Sequence, residues 1–407
     1  MDTYRFIEGG ITAPKGFKAG AIYCGIKSKK KEKPDIAILY SEEKAVCAGM
    51  FTTNKFAAAP IIYCREIVKT GSAQAILINS GNANAATGTL GLENTRKLAQ
   101  CTGDHLGLQA DDVFVCSTGV IGVQLPMEKM LNAVKDIVPT LSADNGPSIA
   151  RAIMTTDTVP KEISFELELS GGTIRIGSMA KGSGMIHPNM ATMLAFVTTD
   201  ASISQEVLQG MLKKAVDKSY NMMTVDGDTS TNDCLLLLAN GMSGVEVKSE
   251  EDIKKFYEAI EYISMEMAKK IAADGEGASH LIVVHANNLQ TQDDARKVAR
   301  AVAGSNLFKC AIFGQDANWG RVISAAGYSG AEFETGKIDV ALESKAGKID
   351  VMLEGAGLAF DEEKAATILK EKDIYVHLDF HDGEECATAF GCDLTYDYVK
   401  INGDYRS

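Results

Sequence analysis

The stretch that decides how this chain is organised reads Lys181-Gly-Ser-Gly-Met-Ile-His-Pro-Asn-Met-Ala-Thr-Met-Leu-Ala-Phe196. Its two glycines permit backbone conformations that other residues avoid, and Pro188 fixes its own φ while restricting His187. Residues 192–198 are then apolar on both alternating faces, which predicts a strand buried between two layers. A pre-shaped turn that enters such a strand favours a layered α/β sandwich.

The bond between Ala191 and Thr192 lies where its cleavage would create a reactive group. A new α-amino group on Thr192 would stand beside that residue's own hydroxyl, so one residue would hold both a nucleophile and a base. The unperturbed pKa of an N-terminal amine is about 7.7–8.0, which suits a base at neutral pH. A threonine at the start of a strand more often serves packing or capping, so the pattern alone leaves both interpretations open.

Short strand patterns dominate the first half of the chain, and helical patterns follow the junction. The predicted strands cover residues 35–40, 45–51, 75–79, 113–117, 164–169, 174–180 and 281–285. The predicted helices cover residues 92–106, a segment capped by Ser204, a segment from Ser249 to Asp274, and residues 294–303. The polar residues 286–292 are the expected boundary before a smaller C-terminal α/β portion.

Composition excludes several classes of protein. The 407 residues are 45% hydrophobic and 23% charged, a balance typical of a soluble globular protein. A net charge of −13 argues against general binding to nucleic acid or to a membrane surface. The one basic run, residues 27–33, is expected to be the solvated tip of a hairpin.

Location and redox state also follow from the sequence. No apolar run approaches the roughly 18 residues needed to cross a bilayer, and the N-terminus has no signal pattern, so we expect a cytoplasmic protein. The nine cysteines are odd in number and contain no C-x-x-C pair. They are expected to be reduced and mostly buried thiols.

Seven blocks of sequence carry a family resemblance. They lie at residues 9–17, 79–85, 116–122, 179–194, 224–233, 314–321 and 401–405. Together they resemble the glutamate N-acetyltransferases, also called ornithine acetyltransferases, which form the bifunctional protein family of arginine biosynthesis. The resemblance covers nearly the whole chain, and the blocks occur in one order.

The resemblance implies a fold and a processing event. The fold would be a four-layer α/β/β/α sandwich like that of N-terminal-nucleophile hydrolases, with a different connectivity. Autocatalytic cleavage would give an alpha chain of residues 1–191 and a beta chain of residues 192–407. Two copies of each chain would assemble as a heterotetramer.

The implied activity is movement of acetyl from N-acetylornithine to glutamate by a ping-pong route through acetylated Thr192, with ornithine and N-acetylglutamate as products. Acetyl-CoA is a candidate second acetyl donor. No cofactor is required, and the histidines and cysteines show no metal-binding spacing. The expected partners are these small molecules and the cleaved chain itself.

The resemblance also assigns residues. Thr192 is the nucleophile, while the hydroxyl of Thr118 and the backbone N–H of Gly119 form the oxyanion hole. The implied substrate contacts are Thr155, Lys181, Thr192, Glu276, Asn402 and Ser407. Ser407 stands where the family's threonine is expected, and it keeps the hydroxyl. Without the resemblance, Glu276 would be taken as an exposed loop acid and Lys181 as a solvated charge.

Two other functions compete with acetyl transfer. A related aminopeptidase-like hydrolase would use an N-terminal nucleophile with water as acceptor, although such relatives carry serine at the position of Thr192. A nonenzymatic amino-acid-binding protein would keep the chain intact. Cleavage and acetyl acceptance distinguish the three.

Overall fold

The computed structural model describes residues 4–26, 33–187 and 193–404. Within them, nine strands form one sheet and six form another. The strands of the first sheet are β1 (Arg5–Phe6), β2 (Phe17–Ile22), β3 (Ile36–Phe51), β4 (Ser72–Asn82), β5 (Val113–Val120), β6 (Lys161–Leu169), β7 (Gly172–Lys181), β8 (Leu194–Thr199) and β9 (Cys234–Ala239). Their order is β1-β6-β7-β8-β9-β3-β4-β5, with β2 beside β3.

The second sheet is formed by the C-terminal part of the chain, and helices lie between the strands of both sheets in the sequence. Its strands are β10 (Leu281–Leu289), β11 (Asp339–Ser344), β12 (Gly347–Leu353), β13 (Ala356–Gly357), β14 (Asp373–Asp379) and β15 (Glu385–Cys392), in the order β13-β12-β11-β14-β10-β15. The helices are α1 (Ala59–Ile67), α2 (Gly88–Leu106), α3 (Met127–Ile137), α4 (Gly146–Ala152), α5 (Gln205–Lys218), α6 (Glu250–Ala273), α7 (Gln292–Ala303), α8 (Asn306–Phe313), α9 (Trp319–Gly327), α10 (Glu362–Leu369) and α11 (Tyr396–Asp404).

The first sheet folds over on itself at the long strand β3. The first half of β3 pairs with β2 and β4, its second half pairs with β9, and the register with β4 shifts between Tyr40 and Ala45. In a flat sheet, β5 and β9 would be about 14 Å apart, because β3 and β4 lie between them. The sulfur atoms of Cys116 on β5 and Cys234 on β9 are instead 3.6 Å apart. The two halves of the sheet therefore pack face to face.

Helices cover the outer faces of the folded sheet. Helices α1 and α2 contact β5, whereas α5 contacts β3 and α6 contacts β6 and β7. The four-layer α/β/β/α prediction is confirmed. Strand β8 is buried along its whole length, and its alternate residues join the two hydrophobic clusters on either side of the sheet. The predicted burial of this strand on both faces is also confirmed, because two packed layers leave neither face to solvent.

The predicted boundary at residues 286–292 overlaps strand β10. Strand β10 continues through Ala286, which pairs with Leu378 on one side and Ala387 on the other. The polar residues mark a bulge, since the register with β15 shifts beyond Ala286 and Asn288 has a φ of +60°. Asparagine adopts this left-handed conformation more readily than most residues. The C-terminal α/β portion therefore begins with β10 itself.

Helix signals in the sequence were accurate for α6 and less so for α5. The backbone N–H of Asp252 donates to the hydroxyl of Ser249 at 3.1 Å, so Ser249 caps α6 as predicted. Ser204 occupies the corresponding position before α5, but its side chain accepts no capping hydrogen bond. Strands β2 and β3, which flank the basic run, pair antiparallel, and residues 27–32 of the run lie outside the described part of the chain.

Candidate active site

A cavity of about 150 Å³ lies at the ends of β5 and β7. Six of the residues that the sequence predicted for the site line it: Thr118, Gly119, Thr155, Lys181, Glu276 and Asn402. They come from β5, the loop after α4, β7, the loop after α6, and α11. The other predicted positions, Ala191, Thr192 and Ser407, lie outside the described residues.

Gly119 shapes the end of β5. Strand β5 runs parallel to β4, and Gly119 is paired with Gly81 just before the register shifts. Gly119 has a φ of +132°, and a β-carbon built on it would lie 2.3 Å from the carbonyl carbon of Gly81. A residue other than glycine would therefore be both strained and in collision with backbone. The close approach of two strands is what presents residues 118 and 119 to the cavity.

The hydroxyl of Thr118 is oriented by Lys181. The Lys181 ammonium donates a hydrogen bond of 3.3 Å to the Thr118 hydroxyl oxygen. Both side chains are buried, with exposures of 4% and 9%. Because the oxygen accepts from an ammonium, the hydroxyl hydrogen remains available to donate to a negatively charged oxygen. This is the property that an oxyanion hole requires.

Burial shapes the charge of Lys181. Burial lowers the pKa of this lysine, whereas the carboxylate of Asp157 acts in the opposite direction. The expectation of a solvated lysine is wrong, because Lys181 ends a strand that lies between the layers. Lys181 lines the cavity, and the carboxylates of Asp233 and Glu276 also act against the fall in its pKa.

Glu276 is buried at the cavity wall rather than exposed on a loop. Its exposure is 8%, and its backbone N–H donates to the carbonyl oxygen of Ser183 at 3.0 Å. A β-carbon on Gly184 would lie 2.4 Å from the Glu276 carboxyl group, so glycine at 184 makes the approach possible. The side-chain amide of Asn402 donates to the Glu276 carboxylate at 2.8 Å. Helix α11 is thereby joined to the cavity.

Asp226 and Cys234, which follow α5 in the sequence, form hydrogen bonds with the chain on both sides of the predicted cleavage junction. The carboxylate of Asp226 accepts from the backbone N–H groups of Met185 at 2.5 Å and Ile186 at 2.8 Å. Downstream, the backbone N–H of Cys234 donates to the carbonyl oxygen of Met193 at 3.1 Å. Two of the sequence blocks that carry the family resemblance therefore contact each other through Asp226, and Cys234, directly after the second block, contacts Met193.

His187 is a further anchor of the upstream arm. The guanidinium of Arg300 donates to its Nε2 atom at 3.0 Å, and its Nδ1 atom lies 3.0 Å from the hydroxyl of Thr224. Burial and the nearby Arg300 both lower the pKa of His187. The ring is therefore held neutral, which fits the expected packing role better than that of a general base.

Asp233 is a buried carboxyl group that sequence reasoning missed. Its exposure is 1%, and its carboxylate oxygens have no hydrogen bond of ordinary geometry among the described residues. Burial raises the pKa of Asp233 well above the usual range, while Lys181 acts against that shift. The Met193 backbone and the Thr52 side chain lie near enough to oppose the shift slightly as well. The sequence did hold a signal: Asp233 comes directly before Cys234-Leu-Leu-Leu-Leu238, where the run indicates a buried strand.

A second missed group surrounds Lys161, which is buried between the carboxylates of Asp157 and Asp274. Asp157 stands in the same short segment as Thr155, and Asp274 comes two residues before Glu276. Asp157 is only four positions from Lys161, but nothing in the sequence indicated that Asp274 joins them, because it lies 113 positions from Lys161.

The described residues also bear on metal sites, membrane-spanning helices and the state of the cysteines. In residues 4–26, 33–187 and 193–404, no three metal-ligating side chains lie close enough together to hold a metal ion. No helix in these ranges is long and apolar enough to span a membrane. All nine cysteines are free and five are buried, which confirms the prediction of mostly buried thiols.

Comparison with known proteins places the fold and site in a class. Residues 18–407 match the model of the ArgJ family. The arginine biosynthesis bifunctional protein ArgJ of Caldanaerobacter subterraneus subsp. tengcongensis is 49% identical, over 99% of this chain and 100% of that protein. The crystal structure of arginine biosynthesis bifunctional protein ArgJ from Bacillus halodurans is 44% identical with a TM-score of 0.50, covering 53% of this chain and 100% of that chain.

A third relative is the ornithine acetyltransferase of Mycobacterium tuberculosis, solved with ornithine. It is 36% identical with a TM-score of 0.42, covering 46% of this chain and 99% of that chain. Fold, site and relatives define the class: an acetyltransferase of arginine biosynthesis. The chain belongs to the ArgJ family.

Proposed function

We propose that this chain moves acetyl from N-acetylornithine to glutamate in two half-reactions at one site. The observation that carries the proposal is the convergence of six predicted residues, from five separate elements, on one cavity. Its volume of about 150 Å³ is below the roughly 300–1,000 Å³ of sites for drug-sized ligands. Such a cavity suits a single amino acid.

In the first half-reaction, the Thr192 hydroxyl oxygen attacks the acetyl carbonyl carbon of N-acetylornithine, and its proton passes to the Thr192 α-amine. The carbonyl oxygen becomes negative and accepts hydrogen bonds from the Thr118 hydroxyl and the Gly119 N–H. The carbon–nitrogen bond then breaks. The proton moves to the departing nitrogen, ornithine leaves, and acetyl stays on Thr192.

In the second half-reaction, the amine of glutamate attacks the acetyl carbonyl carbon, the ester carbon–oxygen bond breaks, and the proton lost by the amine passes through the Thr192 α-amine to the departing Thr192 oxygen. The same oxyanion donors serve both steps. Donor and acceptor each carry an amino acid end, so contacts from Thr155, Lys181, Glu276, Asn402 and Ser407 can orient both in turn. Shared contacts of this kind explain how one small cavity can serve two substrates.

Cleavage between Ala191 and Thr192 would create the catalytic amine. The Thr192 hydroxyl oxygen attacks the Ala191 carbonyl carbon, and the carbon–nitrogen bond breaks as the ester forms, so that the hydroxyl proton moves to the nitrogen and the α-amine is freed. Water then hydrolyses the ester, which releases the Ala191 carboxylate and restores the Thr192 hydroxyl. The hydrogen bonds to Ile186 and Met193 support this step, because they fix the described residues that flank the junction. The Bacillus halodurans chain also supports it, since that chain spans 53% of this one and a chain starting at Thr192 is likewise slightly more than half.

Mass spectrometry under denaturing conditions tests the cleavage. We expect two fragments that begin at Met1 and Thr192 in place of one chain of 43.5 kDa. Thr192→Ala should stay intact, whereas the matched variant Thr192→Ser should still be cut because it keeps the hydroxyl. A Thr192→Ala chain that splits at the same bond would refute self-processing.

Product analysis tests the acetyl transfer. Wild-type protein given N-acetylornithine and glutamate should form N-acetylglutamate and leave acetyl on the Thr192 fragment when glutamate is absent. Rapid acetate release without glutamate would indicate a hydrolase. An intact chain without an acetyl adduct would indicate an amino-acid-binding protein.

Three further properties belong to the same proposal. Acetyl-CoA is a second candidate donor, to be tested by replacing N-acetylornithine with it and measuring N-acetylglutamate. A heterotetramer of two alpha and two beta chains is the proposed assembly, to be tested by light scattering of the purified protein. The cytoplasm is the proposed location, supported by nine free cysteines, and fractionation of cells tests it.

A further inference from the structure

The buried charges around Lys161 form one connected network behind the cavity. The Lys161 ammonium donates to the carboxylates of Asp157 at 2.7 Å and Asp274 at 2.5 Å. The side chains of Lys161 and Asp157 are 1% and 0% exposed. Burying one cation and two anions is costly unless every group is paired. Stability alone therefore does not explain why these three charges are buried together.

Asp157 uses its two oxygens to hold two parts of the cavity wall. One oxygen accepts from the backbone N–H of Thr155 at 2.9 Å. The other accepts from the backbone N–H of Gly182, next to Lys181, at 2.7 Å. A single rigid carboxylate thus fixes the distance between two segments that are far apart in sequence. Both segments carry residues that face the cavity.

Asp274 extends the same network to Glu276. The Asp274 carboxylate accepts from the backbone N–H of Thr158, and its carbonyl oxygen accepts from the Ser183 hydroxyl at 2.7 Å. The Ser183 carbonyl oxygen then accepts from the backbone N–H of Glu276 at 3.0 Å. Three cavity residues from three separate elements are therefore tied to one buried ammonium.

Lys161 and Lys181 have different roles in this arrangement. Lys161 is paired with two carboxylates. The Lys181 ammonium instead donates a hydrogen bond to the Thr118 hydroxyl. The ammonium groups of Lys181 and Lys161, together with hydrogen bonds, outweigh burial and keep the pKa of Asp157 below its usual range. Asp157 is therefore ionised and accepts from both backbone segments.

We propose that Asp157 is a positioning residue for acetyl transfer: held by Lys161, its carboxylate sets the placement of Thr155 relative to Lys181. The inference rests on the proposed acetyl transfer. Transfer between two bound substrates depends on geometry, and a misplacement of about 1 Å can cost roughly 100-fold in rate. A charged network is well suited to this task, because its hydrogen bonds are directional and shielded from water.

The test compares four variants with the wild-type protein. Asp157→Asn keeps the shape of the side chain but weakens its hydrogen bonds with the two backbone N–H groups. Lys161→Met removes the cation, and Lys161→Arg restores it. Asp252→Asn is the matched control, because Asp252 is also buried and its carboxylate accepts from the Ser170 backbone N–H and the Ser249 hydroxyl, but at the distant start of α6. Each variant is measured for fragment masses, melting temperature, kcat and KM.

We expect Asp157→Asn to be cleaved normally and to lose about 10–100-fold in kcat/KM for N-acetylornithine, with a raised KM. Lys161→Met should lose as much, and Lys161→Arg should recover most of the activity. Asp252→Asn should lower the melting temperature while leaving kcat/KM within about threefold of wild type. If Lys161→Met does not fold, Asp157→Asn and Lys161→Arg still carry the test.

Several outcomes would overturn the inference. Asp157→Asn with kcat/KM near that of wild type would do so, and so would an equal loss in Asp252→Asn. A wild-type protein without acetyl transfer would instead refute the proposed function. In that case calorimetry with ornithine tests the inference separately. Binding to Asp157→Asn that is at least about tenfold weaker than binding to the wild-type protein supports the positioning role. Equal binding to the two proteins, or no binding to either, refutes it.

Discussion

Gly119 and Gly122 provide a matched pair at the scale of single residues. Both have positive φ angles, but an added β-carbon would collide with Gly81 only at position 119 and would meet nothing within 4 Å at position 122. We expect Gly119→Ala to lose at least about 100-fold in kcat, because the oxyanion donors shift. Gly122→Ala should cost about 1–2 kcal/mol of stability and keep its activity. Equal activity in the two variants would remove Gly119 from the oxyanion hole.

Asp233 makes stability depend on pH. Burial raises the pKa of this carboxyl group in the folded protein, so its contribution to stability is fully present below the unfolded pKa of about 3.9 and is lost as pH rises toward the folded pKa. Asp233→Asn cannot ionise and escapes this loss. In the Thr192→Ala chain, which keeps the junction intact, melting temperatures with and without Asp233→Asn should agree near pH 4 and diverge toward pH 7, with the asparagine variant higher.

Asp252 serves as a control, because its pKa is shifted in the opposite direction to that of Asp233. Hydrogen bonds from Ser170 and Ser249 lower its pKa in the folded protein, so its stabilisation is present at neutral pH and is lost as pH falls through the folded pKa. Asp252→Asn should therefore be less stable than its parent at pH 7. If Asp233→Asn behaves in the same way, Asp233 is ionised and paired in the folded state.

At the scale of elements, α11 is joined to the site but contributes little to the core. None of its residues is buried, and Tyr396 is 83% exposed, while Asn402 contacts Glu276. Removal of residues 402–407 should raise KM by at least about tenfold and leave the melting temperature nearly unchanged, because few apolar contacts are lost. Thermal melts and steady-state kinetics check both parts.

Single substitutions separate the contact from the helix. Asn402→Ala removes the amide that meets Glu276 and should reproduce most of the rise in KM. Lys400→Ala lies on the same exposed helix and should have no effect. Unchanged kinetics in the truncated chain would exclude the C-terminal residues from the site.

At the scale of the whole molecule, a cut at Ala191 would not release the two parts. Strand β7 pairs with β8 from Ile176 to Lys181, and β3 pairs with β9, so both sheet contacts cross the cut. The hydrophobic clusters on both faces of the sheet also contain residues from each part. The fragments should elute together on a sizing column in native buffer and separate only in denaturant. Separate elution in native buffer would contradict a shared core.

The sequence by itself determined the local structure and the residue types of the site. Hydrophobic periodicity depends on near neighbours, so the strand after the junction, the capped start of α6 and the reduced cysteines were predictable. The family resemblance supplied Thr118, Gly119, Thr155, Lys181, Glu276 and Asn402 as residues of one site.

Only the tertiary structure decided how those residues meet. The fold-over at β3, the burial of Glu276 and the bulge in β10 depend on contacts between distant segments, to which local patterns are insensitive. The same holds for the orphan carboxyl of Asp233 and for the network of Lys161, because a charge in the sequence shows neither its burial nor its partner. The junction at Ala191 was visible in the sequence, and the folded chain adds the hold on both of its sides.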